Sequence, residues 1–475
     1  MRSVLDYWIM TLAPSTNAVS QQTRRNPSQA LRLLHRLHFF AGIICAPLIF
    51  IAALTGLVYA FSPTIESISN QEMLTVTKSA DSTALPVREQ VSIAQELHPD
   101  LDLSGVRLGD DSSTTRVLFA DETLAESTVR AVFVDPYTGE ITGDTTQYGS
   151  SAALPFRHWV SQGHRMLWLG EPGRIYSELA ASWLGVLAVG GLALLWSRNK
   201  KPGRLKKMVR TGGQGRVKTY RRHAALGTVA GLGFVFLTFT GLTWSTYAGS
   251  NITDLRTQLN WTQPSVNASL TAAPQVDMHD EHAGHHMAMD SATSVSGSID
   301  LVAATAISEL RTPLTITPPA QDGLAWTATE NRDAYRFTTD TIAVDGDTGM
   351  LTSRLNSTDW PLAAQASAWL IQLHMGTLFG LPNQVVLGLL AASIIVMIGL
   401  GYWMLWQRRP REGWPSAPKR AGFEKPSWGT IALGVVVIAY GLLAPLFAVS
   451  LLVFIGLSLG VRFISRASRR ADTSN

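Results

Sequence analysis

The sequence predicts an α-helical polytopic membrane protein of about six spans, arranged as two parallel pseudo-symmetric halves that carry two small α+β modules outside the membrane. Three observations support this: apolar runs of spanning length, basic residues confined to one set of loops, and an internal repeat covering most of the chain. Of 475 residues, 46% are hydrophobic and 16% charged, leaner in charge than an ordinary soluble domain.

Four runs approach the roughly 20 residues a spanning helix needs: Phe39 to Phe61, Ile175 to Trp196, Ala224 to Thr246 and Gln384 to Trp406. A fifth, Ile431 to Val461, is interrupted by Pro445 and is long for one span, so it reads as a tight hairpin of two short spans. Lys and Arg collect in cytoplasmic loops. Here they cluster before the first run, between the second and third, after the fourth and after the last, and Arg198 to Arg222 alone holds eleven basic residues and no acid. Both termini are therefore expected in the cytoplasm of a bacterial cell, with the chain in its inner membrane and two long polar segments in the periplasm. The excess of +4 follows from this bias, and no nucleic-acid partner is read from it. The first thirty residues have no apolar core ending in a small-residue cleavage site, so the first span is expected to be the anchor.

The expected order is a cytoplasmic tail (1–30), span 1 (31–61), external module 1 with a histidine segment (62–173), span 2 (174–197), a basic cytoplasmic loop (198–222) and span 3 (223–247). External module 2 with a His/Met-rich loop at 278–289 follows (248–383), then span 4 (384–407), a cytoplasmic loop (408–427), the hairpin of spans 5 and 6 (428–463) and a cytoplasmic tail (464–475).

The repeat makes this specific. His38, Gly42, Thr55 and Gly56 recur as His223, Gly227, Thr240 and Gly241, the same His-x3-Gly-x12-Thr-Gly spacing at an offset of 185. At an offset of 210, Asp135, Thr138, Gly139, His164, Gly170, Gly191, Leu195, Trp196 and Arg198 recur as Asp345, Thr348, Gly349, His374, Gly380, Gly401, Leu405, Trp406 and Arg408. The difference of 25 residues places an insertion in the second external segment, between Tyr247 and Ser298. Even span numbers per half make the halves parallel, related by an axis along the membrane normal. In the modules, 91–97 and 302–310 read as short helices, 116–119, 129–134 and 341–344 as strands, and the Asp135–Gly139 and Asp345–Gly349 stretches as hairpin turns.

The repeat also sorts the histidines. His38 and His223 share one level at the cytoplasmic starts of spans 1 and 3; His164 and His374 share the other, six residues before a glycine turn. Paired imidazoles at one depth suit bis-histidine haem, so the four predict two haems, one near each face. The helices from His38 to Gly56 cover about 27 Å, enough to separate them. His35 and His158 align with Tyr220 and Ala368 and are expected to be structural, and His98 belongs to the surface of a module. The bland alternative is that all four are helix-end polar residues copied with the unit. No Cys-x-x-Cys-His occurs, so the haem would be non-covalent, b type. The sole cysteine, Cys45, excludes an internal disulfide and an all-thiolate cluster built from this chain.

The runs LHFFAG (37–42), ELAASW (178–183) and LHMGTLFG (373–380) resemble the PepSY-associated transmembrane helix family, iron-regulated bacterial inner-membrane proteins, over Leu31 to about Val461. The external modules resemble PepSY domains, with the Val-Asp-x-x-Thr-Gly turns as their weaker signature. The resemblance implies a di-haem ferric-siderophore reductase with His38, His164, His223 and His374 as haem ligands. Two departures stand out: Gly190-Gly191-Leu192 replaces the more usual Thr-Gly-Leu, and the His/Met-rich loop is not required by the family. In that loop, Met278, His279, His282, His285, His286, Met287 and Met289 suit transient binding of copper or iron.

The leading expectation is therefore a haem-dependent transmembrane oxidoreductase that serves iron uptake by passing electrons to a periplasmic ferric-siderophore or other metal. No Gly-x-Gly-x-x-Gly loop follows a strand on the cytoplasmic side, so the donor would be separate, a quinol or a flavoprotein. Two other readings stay open: a haem-free PepSY membrane protein that binds or regulates periplasmic proteases, and a copper-handling protein.

Overall fold

The computed structural model describes residues 28–198, 214–270, 298–409 and 425–472. Helix α1 (Gln29–Ile44) starts at Ser28, whose hydroxyl accepts the Leu31 N–H at 3.4 Å. The helix is interrupted for one residue at Cys45 and resumes as α2 (Ala46–Ser69). Pro47 has no N–H, so the Ile43 carbonyl one turn back loses its helical partner, and the Tyr402 hydroxyl donates to it at 2.8 Å. The stretch expected as one span at 31–61 is thus two helices, with the apolar span running on to Ser69.

Helices α3 (Val87–Leu97), α4 (Pro155–Met166), α5 (Glu171–Arg198), α6 (Gly215–Leu242), α7 (Tyr247–Gln258), α8 (Ile299–Glu309), α9 (Leu362–Met375), α10 (Leu381–Trp406), α11 (Trp428–Leu443) and α12 (Pro445–Asp472) follow. Four, α2, α5, α6 and α10, are long and apolar enough to cross a membrane, and two shorter apolar helices cover 428–443 and 445–460. Helices α6 and α12 depart most clearly from the expected span limits. Helix α6 begins at Gly215 instead of 223 and ends at Leu242, and α12 runs to Asp472 through what was expected to be a tail. The extra turns are rich in Arg and Lys, which are good helix formers but contribute nothing to apolar length.

The four long helices pack in a ring, α2 on α5 and α10, α6 on α5 and α10. Small residues bring the backbones close: a Cβ at Gly388 would sit 2.7 Å from the Phe61 ring, and one at Gly231 would sit 2.9 Å from Leu192. The hairpin α11–α12 is fastened to this ring by polar bonds. Pro445 leaves carbonyls unpaired at the end of α11, and the Asn251 side chain donates to Leu442 O and Leu443 O at 3.1 Å each. The Tyr440 hydroxyl donates to Ser182 O at 3.0 Å, and the Trp183 indole N–H donates to Ser450 Oγ at 3.0 Å.

Strands β1 (Asp102–Leu108), β2 (Thr115–Ala120), β3 (Thr128–Val134), β4 (Ile141–Tyr148), β5 (Leu314–Thr317), β6 (Trp326–Glu330), β7 (Thr341–Val344) and β8 (Leu351–Leu355) form one antiparallel sheet in the order β4-β3-β2-β1-β5-β6-β7-β8. The two modules expected as separate units are therefore fused. β1 and β5 pair in register Val106↔Ile316, Arg107↔Thr315, Leu108↔Leu314, so the edge each module would otherwise expose is covered by the other. Helices α3 and α8 cover one face, with Val106, Leu108, Val302, Ala306, Ile316 and Trp326 buried between layers. Both Asp-x-x-Thr-Gly stretches are tight turns whose glycines, Gly139 and Gly349, have φ of 76° and 68°.

A buried ion pair ties α4 to α2. Glu66 Oε1 lies 3.1 Å from Arg157 Nε with both side chains no more than 10% exposed, and Glu66 Oε2 accepts the Leu154 N–H at 2.8 Å. Removing one partner of such a pair leaves a buried charge alone, at a cost of about 3–5 kcal/mol. Glu66→Ala and Arg157→Ala should each lower the melting temperature of the detergent-solubilised protein sharply, while Glu66→Leu combined with Arg157→Leu should recover most of the loss. A double variant no more stable than either single one would refute this. In the second half of the sheet, burial alone would raise the Glu330 carboxyl, but hydrogen bonds from the Arg311 side chain and from the Arg311 and Asp340 N–H groups outweigh it and hold it below its usual value of 4.5. That stabilisation is present above pH 4.5 and is lost as pH falls through the lower folded-state value. The stability gap between wild type and Glu330→Gln should accordingly narrow in melts below that pH.

Candidate functional site

All four repeated histidines face the interior of the helical ring, at two levels. His164 lies near the end of α4 and His374 near the end of α9, and the two line one cavity with Gly56, Tyr59, Gly241 and Trp244. Each of these short helices ends in a left-handed residue, Leu167 at φ 50° and Gly376 at φ 78°, and the chain then turns at Gly170 or Gly380 into α5 or α10. His38 and His223 lie toward the other end, on α1 and α6. The levels are separated by ten residues on α5, from Ala181 beside Gly241 to Gly191 beside His38, or about 15 Å of helix.

At the sheet-side level the imidazole tautomers follow from the hydrogen bonds. Thr55 Oγ1 donates its only proton to Ile51 O at 2.9 Å and lies 3.1 Å from His164 Nδ1. Thr240 Oγ1 donates to Phe236 O at 2.7 Å and lies 2.6 Å from His374 Nδ1. When the hydroxyl proton stays on the helix backbone, Nδ1 carries the hydrogen and donates it, the tautomer that leaves the Nε2 lone pair for a Lewis acid. Gly56 makes room for its ring, since a Cβ there would come within 2.9 Å of His164 Cε1, while a Cβ at Gly241 would only touch His374 Cε1 at 3.9 Å. Burial pushes the His164 imidazole down to about 4 and that of His374 to about 3, so both are neutral at physiological pH. Tyr59 stacks parallel to His164 with centroids 6.0 Å apart, and Trp244 meets His374 edge-on at 5.8 Å.

At the far level the His38 and His223 rings lie 6.5 Å apart, centroid to centroid, with their planes 85° from parallel. Two imidazoles that share one metal through bonds of about 2 Å have centroids roughly 6.3 Å apart, so the pair is spaced as a common iron would space it. Each imidazole lies against a backbone group, His38 at Leu187 and His223 at Met397, positions again 210 apart, and neither buried Nδ1 has a hydrogen bond of good geometry among the described residues. A Cβ at Gly191 would stand 3.1 Å from His38 Cε1, so this glycine is a cradle for the ring. The ring spacing at this level, the threonine contacts at the other and the close glycines Gly56 and Gly191 fit bis-histidine ligation of a flat macrocycle.

The other histidines have plainer roles. His158 stacks on Tyr148 at 4.0 Å and bonds Gln162 at 2.8 Å, and His98 lies 3.0 Å from Asp144. Thr55 and Thr240, which orient two of the four rings, were visible in the sequence as repeat landmarks but carried no assigned role there. Their spacing from His38 and His223 was the available signal. The His/Met-rich loop, Met278 to Met289, lies outside the described residues.

Comparison with curated proteins gives no match. The family model described as the PepSY-associated TM region matches residues 35–409, which takes in both histidine pairs, the sheet and all four long apolar helices. The chain belongs to the PepSY-associated TM family.

Proposed function

We propose that this chain is a di-haem b reductase of a bacterial inner membrane, with six spans in two pseudo-symmetric halves, both termini cytoplasmic and the sheet in the periplasm. Electrons would enter from a cytoplasmic-side quinol or flavoprotein and leave to a periplasmic ferric-siderophore or other metal for iron uptake. The observation that carries the reading is the pairing of four histidines at two levels, above all the 6.5 Å spacing of His38 and His223. Haem b held at each pair would supply one-electron carriers within the insulating bilayer.

The chain's own residues do the rest. His38 and His223 would hold the cytoplasmic-side haem, and His164 and His374 the periplasmic-side one. Thr55 and Thr240 fix the ring tautomers and raise the basicity of the Nε2 donors. The apolar walls of the cavity, Ile49, Ala53, Leu184, Leu237 and Ile394 among them, keep water from the ligands. Delivery of one electron to an external Fe(III) chelate gives Fe(II), which hard oxygen donors hold less tightly.

A reduced-minus-oxidised spectrum of the full-length protein, produced with ample haem, should show b-type bands and two haems per chain. Absence of those bands would remove the reductase reading and favour a haem-free role in binding periplasmic proteins. His38→Ala or His223→Ala should lower the content to about one haem per chain, with the periplasmic-side signal retained; two haems remaining would refute the pairing. Thr55→Val and Thr240→Val keep the shape of the side chain but remove the acceptor for Nδ1–H. Each should reduce periplasmic-side occupancy severalfold or shift its midpoint potential, leaving the other haem unchanged.

A further inference from the structure

We propose that Arg165 and Arg174 bind the propionate carboxylates of the periplasmic-side haem and fix the direction in which it lies in its site. The inference rests on the two-haem reading above. Both guanidinium groups line the cavity shared by His164 and His374. Arg165 directly follows His164 on α4, and Arg174 stands in the first turn of α5.

Each group is held in place while most of its donors stay open. Arg165 gives one N–H to the Tyr148 hydroxyl at 2.8 Å. Arg174 gives Nε–H to Thr246 Oγ1 at 2.9 Å, and its nearest acid, Glu171, is 3.9 Å away with a side chain 71% exposed. A guanidinium has five N–H donors, so about four on each have no partner among the described residues. The one carboxylate among the described residues lining the cavity forms no ion pair with either arginine. Glu178 is 1% exposed, and its oxygens already accept the Tyr247 N–H at 2.9 Å and the Ala248 N–H at 3.1 Å, where they cap α7.

A cavity with two partly buried cations, spare planar donors and no lining anion paired to them among the described residues calls for a ligand that brings carboxylates, since paired, charge-assisted hydrogen bonds are what offset burial of both charges. Haem b brings two. The register of 210 that relates His164 to His374 puts Met375 and Gln384 at the positions of Arg165 and Arg174. Met375 is uncharged, and Gln384 Oε1 is taken by the Thr64 hydroxyl at 2.8 Å. The counter-charge therefore lies on one half only, so the ring has a single favoured orientation between otherwise matched ligands.

The test compares uptake of haem b with that of its dimethyl ester, which lacks both carboxylates, by full-length protein purified from haem-limited cells. The periplasmic-side site is identified as the signal that His164→Ala removes. Wild type should prefer haem to the ester at that site by about tenfold or more, as expected for charge-assisted bonds. Arg165→Gln combined with Arg174→Gln should bring the preference within about twofold, while the Lys pair keeps part of it. Each single Gln variant should show an intermediate loss, which serves as the readout if the double variant does not fold. Equal uptake of both compounds by wild type, or an undiminished preference in the Gln variants, would overturn the inference. A wild type with no His164-dependent haem signal would instead overturn the two-haem reading beneath it.

Discussion

A threonine hydroxyl has one proton, and at Thr55 and Thr240 that proton is spent on a helix carbonyl one turn back. This local bond is what the rest of the sheet-side site depends on. It leaves the oxygen to accept, so the imidazole tautomer that bonds it carries its hydrogen on Nδ1 and leaves Nε2 bare. Two helices that would otherwise be plain apolar rods thereby become templates for histidines over a hundred residues away. At Gly56 the neighbouring glycine is the other half of the template, because a Cβ there would stand 2.9 Å from the His164 ring.

Supporting contacts hold that template at a fixed height. Glu66 and Arg157 lock α4 onto the top of α2, two turns of α4 before His164. At the register of 185, Glu66 corresponds to Asn251, which fastens the α11–α12 hairpin instead of a histidine helix. The two halves thus share the threonines that meet the sheet-side rings, differ in the aromatic beside each ring, Tyr59 or Trp244, and differ in the residues that brace them. Helix α9 has its own brace: Trp369 donates its indole N–H to Phe337 O at 2.7 Å.

The parts that were legible in the sequence are those set by local composition or by the repeat. Apolar length marked the long helices, and the Val-Asp-x-x-Thr-Gly stretches marked the turns at Gly139 and Gly349, where a positive φ is required. The repeat separated His164 from His158, and the structure places His164 in the cavity and His158 against Tyr148. Helix ends such as Gly215 were hidden because charged helix formers extend a helix without extending its apolar run. The pairing of β1 with β5 was hidden because it joins residues some 210 apart and an edge strand carries no mark of its partner. Arg165 and Arg174 were passed over for a different reason: a filter that keeps only duplicated residues discards whatever makes the halves unequal.

The fused sheet has a mechanical consequence. Many membrane proteins built from two similar halves work by rocking one half against the other. Here the midline is crossed by a ladder of backbone bonds at Val106, Arg107 and Leu108, flanked by a buried layer that includes Val302 and Trp326, so such a tilt would have to shear strands apart. The placement of one half of the sheet relative to the other is therefore tied to the pairing of β1 with β5. A frame this stiff would hold the four imidazoles in place, the low reorganisation that the proposed electron exchange calls for.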